Sequence, residues 1–269
     1  QRLEGLQRGV QRWGEGDLSV RVPVQGDDEV ADLSERFNAA AERIEGLMAS
    51  QKSLLANASH ELRSPLARIR MGLELMNGPV DADALARSRA EILRNMAELD
   101  QLIDEILLAS RLDAQEADIG TVEAVDLVGL CAEECARTGA TLDVPSGMSQ
   151  LEVQGVAKLL RRMVRNLLEN ARRYGAAADQ ADAVVLSLHT ESAQVVLRVQ
   201  DRGPGVPPAY LDRIFEPFFR LPGASERIGG VGLGLALVKS IAERHGGQVK
   251  CTARLGGGAC FVVTLPATV

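Results

Sequence analysis

The chain has 269 residues, enough for two or three domains, with 46% hydrophobic and 25% charged residues. A net charge of −7 argues against general nucleic-acid binding, which needs a basic face to gather phosphates, and 3% aromatic residues leave little for stacking single strands. No run of about 18 apolar residues offers a membrane span. Cys131, Cys135, Cys251 and Cys260 form no CxxC pair and read as buried thiols in a reducing cytosol rather than as a disulfide or zinc site.

No signal peptide is visible. The chain begins without Met inside an amphipathic pattern, which suggests a piece of something longer. Leu3, Leu6, Val10 and Trp13 form a narrow helical stripe of the coiled-coil kind, stopped by Gly14 and Gly16. Leu18 to Val24 reads as an extended connector. Asp27, Asp28 and Glu29 then open a second helix, where the helix dipole favours acids, and Leu33, Phe37, Ala40 and Ile44 continue its stripe. Two helices this short have too little core to fold alone.

Residues 51–76 read as the next helix. At about 100° per residue, Leu47, Leu54, Ala58, Leu62, Pro65, Ile69, Leu73 and Met76 share one face, and His60 falls opposite them. His60, one of three histidines, is therefore expected to face solvent, with Glu61 beside it and Ser64 one turn on. An exposed imidazole next to a carboxylate suits a nucleophile, a base or a metal ligand.

Asn77-Gly-Pro-Val breaks the helix. Leu85, Ile92, Met96, Leu99, Ile103 and Ile106 then hold a heptad pattern over about 82–112. Two such helices make an antiparallel hairpin, and two hairpins make a four-helix bundle, so a homodimer is expected. A hairpin docked on the C-terminal domain is the alternative. Ala114 to Gly120 is a polar linker.

From about 119 the pattern is mixed. Strands are expected at 121–127, 142–144, 184–189, 195–200, 248–253 and 260–265, and helices at 127–138, 155–174 and 233–245. That is an α+β domain with its helices on one face of a mixed sheet.

Three stretches in this domain suit nucleotide chemistry. Asn166, Asn170 and Arg173 share one face of the 155–174 helix, opposite Leu167 and Leu168, and an amide oxygen is a hard ligand for Mg²⁺. Asp201-Arg-Gly203-Pro-Gly205 follows an apolar strand, where an acid can accept a hydrogen bond from an adenine amino group. Gly229-Gly230-Val231-Gly232-Leu233-Gly234 opens a helix, a phosphate site by dipole and free N–H groups; it is neither a P-loop nor a Rossmann fingerprint.

In this order the three resemble the N box and the two glycine boxes of the histidine kinase ATP-binding fold, shared with Hsp90-type and gyrase-type ATPases. Phe215-Glu-Pro-Phe-Phe219-Arg220 looks like the F box of the kinases, and His60-Glu-Leu-Arg-Ser-Pro65 like their H box. Residues 1–50 resemble a HAMP linker, with Asp28-Glu29 as its acidic pair and Ala31 where that family often has Gly. With all the motifs in family order, the chain is identified as similar to HAMP-containing, membrane-anchored sensor histidine kinases.

The resemblance implies a multidomain fold: a helical HAMP domain over 1–50, a dimeric four-helix bundle over 51–112, and an α+β sandwich of the histidine kinase, Hsp90 and gyrase ATPase type over 118–269. It implies that His60 is phosphorylated through neutral Nε2, with Glu61 accepting from Nδ1–H, and that the group passes to an aspartate of a response regulator receiver domain. Ser64 stands where relatives have Thr or Asn orienting water to dephosphorylate the regulator. Asn170 would hold Mg²⁺, with Asn166 nearby. ATP would meet Arg173 (often Lys in relatives), Tyr174, Asp201, Gly203, Gly205, Arg220, Gly230, Gly232, Leu233 and Gly234. The implied setting is the cytoplasmic portion of a bacterial inner-membrane protein, touching the membrane only through segments outside this chain. The rival readings are a scaffold that binds ATP without catalysis and a Ser/Thr kinase on the same ATP fold.

Overall fold

A computed structural model describes residues 2–76, 81–114, 119–175, 183–222, 230–254 and 256–267. They fall into two compact units, Gln1–His60 and Glu61–Val269. The expected break at 77–80 and most of the expected linker lie outside the described residues, as does Gly229.

In the first unit α1 (Arg2–Gly14) is followed by a connector and by the start of α2 (Glu29–Met76). The connector is fixed by its own backbone groups. Asn38 accepts from the Val22 N–H and donates to the Val22 carbonyl, both at 2.8 Å, so the amide side chain satisfies an extended residue that has no strand partner. Val22 is buried beneath it, and a Cβ at Gly9 would collide with Val22, which brings α1 close to the connector. Asp28, of the expected acidic pair, accepts from the Ala31 N–H and pairs with Arg2 at 2.5 Å. Trp13 and Phe37 meet edge to face at 6.1 Å.

The helix expected to begin at 51 has no start there: α2 is continuous from Glu29. Gly46 is the one strong breaker between its first turn and Pro65, and a single glycine costs a helix only about 1 kcal/mol.

In the second unit the end of α2 packs on α3 (Ala82–Asp113), which is capped by the Asp81 carboxylate on the Ala84 N–H. The two helices approach closely at Gly72, whose carbonyl accepts from Ser88 Oγ at 3.1 Å; a Cβ there would lie 2.8 Å from Ile92. Arg68 reaches across to Asn95 (2.5 Å) and Glu98 (2.9 Å).

The α+β part contains β1 (Glu123–Asp126), α4 (Leu127–Thr138), β2 (Thr141–Asp143), β3 (Glu152–Gly155), α5 (Ala157–Tyr174), β4 (Val185–Glu191), β5 (Gln194–Gln200), α6 (Gly234–Arg244), β6 (Gln248–Ala253) and β7 (Ala259–Pro266). Five strands form a mixed sheet in the order β2-β4-β5-β7-β6, with β2 parallel to β4 and the rest antiparallel, while β1 and β3 pair separately. The helices cover one face, where Leu160, Met163, Leu167, Leu186, Leu197, Ile241 and Phe261 are fully or almost fully buried. Each such side chain contributes roughly 1.5–3 kcal/mol on leaving water. The architecture is the expected one; β3 was not anticipated.

Two polar devices lock the helices. Glu134 on α4 is 2% exposed and takes a fork from Arg165 (2.9 and 3.1 Å) together with bonds from Arg137 and Arg161. Burial pushes its carboxyl up, but the hydrogen bonds from Arg165 and Arg137 outweigh it and hold it near 2. At the end of α6, His245 Nδ1 lies 2.7 Å from the Ile241 carbonyl and Nε2 accepts from the Val156 N–H at 3.0 Å, which ties α6 to the start of α5. Those partners require hydrogen on Nδ1 and a lone pair on Nε2. Burial lowers the His245 pKa from its usual 6.5.

His245 therefore makes stability depend on pH. The unfolded chain takes up a proton near 6.5 that the folded chain resists. The contribution is complete above that value and is lost as pH falls below it toward the lowered folded pKa. Denaturant titrations should show stability dropping as pH falls below about 6.5, and His245→Ala should cost roughly 1–3 kcal/mol at pH 7.5 while flattening that drop. An unchanged pH profile in the variant would refute this role.

Candidate functional site

The face of α2 expected to be buried is buried in its middle: Leu54 and Ala58 in the first unit, and Pro65 in the second, are inaccessible, while Leu73 is exposed. His60 is exposed on α2, as is Ser64, and Glu61 is half-buried. Pro65 has no N–H, so the Glu61 carbonyl loses its partner one turn earlier.

Within the second unit a cavity of about 900 Å³ opens between the helical hairpin and the α+β part. It brings together Glu61, Ser64, Asn166, Asn170, Arg173, Tyr174, Asp201, Gly205, Arg220, Gly230, Gly232 and Gly234. Gly203 and Leu233 do not line it. Leu233 is wholly buried at the entry of α6, so its side chain belongs to the core. Gly203 packs under the site instead, since a Cβ there would collide with the Tyr174 carbonyl.

The most constrained group is Asp201, 3% exposed at the end of β5. Its Oδ1 accepts from the Gly203 N–H (2.8 Å) and from the Ala259 N–H (3.1 Å). Its own N–H donates to the Ala259 carbonyl at 3.0 Å. A buried carboxylate is costly without such donors, and these two fix its direction.

Helix α5 supplies the amide and cationic face. Asn166 is buried, and its Nδ2 donates to the Gly234 carbonyl at 3.1 Å, so it joins α5 to the first turn of α6. Asn170 and Tyr174 are half-buried and Arg173 is exposed. Arg173 lies over Gly230, whose Cβ position its guanidinium would occupy. Glu169 also lines the cavity, with Oε1 accepting from Arg137 at 3.1 Å.

The expected F box packs on the second glycine box. The Phe218 N–H donates to the Gly232 carbonyl at 3.0 Å, and Phe218 itself adopts φ 63°, which is uncommon for a bulky side chain. Gly232 has φ 81°, and a Cβ on it would lie 2.8 Å from the Phe218 carbonyl carbon and the Phe219 oxygen. Phe215 sits edge to face on Phe261 at 6.4 Å, and Arg213 lies 4.6 Å over the Phe219 ring.

The sequence reading missed Arg68, Asn95, Glu98 and Glu105 at the hairpin side of the cavity, and Ala259 and Phe261 at its floor. The hairpin residues lie outside any motif, and the floor belongs to strands whose burial hides them. Among the described residues no group of three or more His, Cys, Asp or Glu side chains is placed to hold a metal. No helix among them is long and apolar enough to cross a membrane.

Comparison with known proteins agrees with this architecture. Residues 155–269 match the model of the histidine kinase-, DNA gyrase B- and HSP90-like ATPases, residues 50–115 the His Kinase A (phospho-acceptor) domain, and residues 1–46 the HAMP domain. The chain is 35% identical over 260 residues to the sensor protein CutS of Streptomyces coelicolor, covering 93% of the chain and 61% of that protein. It is likewise 35% identical over 268 residues to the sensor protein RstB of Escherichia coli, covering 97% and 59%. It thus spans about three fifths of the length of these relatives. The Acinetobacter baumannii histidine kinase AdeS shares the fold with a TM-score of 0.62 at 20% identity, over 78% of this chain and 98% of that one. The chain belongs to the sensor histidine kinases of two-component systems, and its α+β part is an ATPase domain of the kind they share.

The close approach at Gly232 yields a sharp expectation. Gly232→Ala should cost about 1–3 kcal/mol of stability and weaken binding of a fluorescent ADP analogue, because φ strain and collision with Phe218 act together. Gly147→Ala has a similar φ of 90° but open surroundings, so it isolates the strain. If the two variants lose equal stability and bind nucleotide alike, the contact with Phe218 has no part in shaping the site.

Proposed function

We propose that this chain transfers the γ-phosphoryl group of ATP to His60 and then to an aspartate on the receiver domain of a response regulator. The observation that carries the reading is the Asp201 carboxylate, buried in the cavity wall with Oδ1 held by two backbone N–H groups. That arrangement leaves it as an acceptor for an exocyclic amine, the group that marks adenine.

Each residue then has a stated task. Asp201 orients the base. Tyr174 lines the base and ribose side, and Arg173 and Arg220 supply positive charge toward the phosphates. The backbone from Gly230 to Gly234 meets phosphate oxygens at the start of α6, where the helix dipole is favourable. Gly203 and Gly205 keep the chain low beneath the base, and Asn166 holds the glycine segment to α5.

The residues fit Mg²⁺ of the kind that keeps its waters and binds through substrate phosphates: Asn170 brings a hard amide to the cavity, which Asn166 and Asn95 also line, and among the described residues no group of three or more His, Cys, Asp or Glu side chains forms a cage for a metal. Asn170 would hold the ion, which when bound neutralises charge across the β- and γ-phosphates.

His60 attacks with its Nε2 lone pair. The N–P bond forms as the bond to the ADP oxygen breaks, and ADP departs with the electron pair. Glu61 accepts from Nδ1–H, which keeps the lone pair on Nε2 and stabilises the cation that develops. The phosphoryl group next passes to the regulator's carboxylate. The exposed Ser64 hydroxyl supports water attack on the phosphorylated regulator as a second activity.

We further place residues 1–50 in a HAMP domain, 51–112 in a phosphoacceptor hairpin and 118–269 in an ATP-binding domain. The hairpin would pair with a second copy, since Leu73, Leu75, Leu93, Met96, Ile103 and Leu107 are all exposed. Such a set gains more from a partner helix than from water. The chain would form the cytoplasmic portion of a membrane-anchored sensor.

With labelled ATP and Mg²⁺ the chain should acquire an acid-labile, alkali-stable label that is absent in His60→Gln. Light scattering on the same sample should give twice 28.8 kDa. Acid-stable label, or label retained in the variant, refutes phosphorylation of His60, and a mass of one chain refutes the bundle.

A further inference from the structure

The β6–β7 turn lies far from the N box and the first glycine box in sequence, yet it meets Asp201 directly. Among the described residues, three of the four hydrogen bonds of Asp201 involve Arg254 and Ala259, which flank this turn. The Ala259 N–H donates to Oδ1 (3.1 Å), the Asp201 N–H donates to the Ala259 carbonyl (3.0 Å), and Arg254 Nη1 donates to the Asp201 carbonyl (2.9 Å). The turn presses on the same segment with its backbone. Gly258 has φ 104°, and a Cβ on it would collide with the Asp201 carbonyl oxygen. Its own carbonyl lies 3.0 Å from where a Cβ on Gly205 would sit.

The turn is itself closed by Arg254, whose N–H donates to the Gly258 carbonyl (3.1 Å) and whose carbonyl accepts from Gly257 (3.2 Å). Arg254 therefore acts twice. Its main chain shapes the turn, and its guanidinium, half-buried, grips the carbonyl of the residue that faces the base. Among the described hydrogen bonds to Asp201, this one has a charged donor, and such a bond is about twice as strong as a neutral one.

We propose that Arg254 is a positioning residue for base recognition: by clamping the Asp201 carbonyl it fixes the direction of the Asp201 carboxylate and so sharpens the preference for adenine over guanine nucleotides. The proposal rests on the nucleotide reading of the cavity and adds to it a residue that does not line the cavity. The mechanism is one of restraint. Asp201 directly follows β5, and the segment after it, Arg202 to Val206, has no strand partner among the described residues. Without the clamp the peptide after Asp201 turns more freely, its carbonyl must find water, and the carboxylate spends less time along the amine direction. Affinity for the adenine base then falls, whereas a guanine nucleotide, which gains nothing from an acceptor there, has nothing to lose.

The test is calorimetric titration of the full chain with ADP and with GDP, alongside thermal melting. Arg254→Met keeps the aliphatic stem and removes the donor. It should weaken ADP about tenfold, in keeping with loss of a hydrogen bond to a charged group, and leave GDP unmoved. Arg254→Lys retains one cationic donor for the one carbonyl and should stay within about threefold of the wild type. Should Arg254→Met melt early, the pair Arg254→Lys and Arg254→Gln carries the same comparison, since both keep a donor and one lacks the charge.

Loss of ADP affinity with a narrowed ADP-to-GDP ratio and rescue by lysine establishes the role. Wild-type ADP affinity in Arg254→Met, or equal loss for both nucleotides, overturns it. A wild-type chain that binds neither nucleotide would instead overturn the reading of the cavity itself.

Discussion

A carboxylate buried at the end of a central strand can persist only if the chain around it supplies donors, and Asp201 organises the ATP-binding part on that condition. Strand β5 delivers it to the edge of the hydrophobic layer. Gly203 turns the chain sharply enough for its own N–H to reach back to Oδ1, and the β6–β7 turn brings the Ala259 N–H from a distant part of the sequence. The turn depends in turn on the β5–β7 register, in which Gln200 faces Cys260 and places Ala259 beside Asp201. A slip of one residue would reverse the faces of β7 and remove the donor. The sheet thus positions a chemical group, and the helices keep the sheet in place.

The helical layer has its own polar anchor. Glu134 gathers Arg137, Arg161 and Arg165 between α4 and α5, which fixes the azimuth of α5 and with it the face bearing Asn166, Asn170 and Arg173. Asn166 passes this orientation to α6 through the Gly234 carbonyl. Arg162 and Glu105 form a further pair at 2.9 Å between α5 and α3, with Glu105 nearly buried. Losing one partner of such a pair leaves an uncompensated charge, which costs more than the pair contributes. In the first unit Asn38 does comparable work by satisfying both backbone groups of Val22.

Much of this was legible in the sequence because periodicity and chemistry coincided. The alternation of β4 and β5, the two-sided character of α5 and the acid placed straight after an apolar strand are local signals, and β4, β5 and α5 lie within a few residues of their expected bounds. What escaped was non-local. Strand β3 is four residues long and alternates only as exposed, buried, exposed, buried, and among the described residues it pairs with β1 alone. Leu233 sits inside a glycine motif, yet its side chain is fully buried, because motif membership does not distinguish a backbone contribution from a core one. The pairing of Phe218 with Gly232 and the grip of Arg254 on Asp201 join residues many positions apart, and single-residue patterns carry no trace of such contacts.

The central claim is that Asp201 is read by the amino group of adenine. It is tested most directly by titrating the wild-type chain and Asp201→Asn with ATP and with the purine riboside triphosphate that lacks the 6-amino group. Removing the amine should weaken binding to the wild type about tenfold or more, in line with stranding a buried acceptor, and should make little difference to Asp201→Asn, whose binding of ATP is already weak. Equal affinity of the wild type for the two nucleotides would contradict the account.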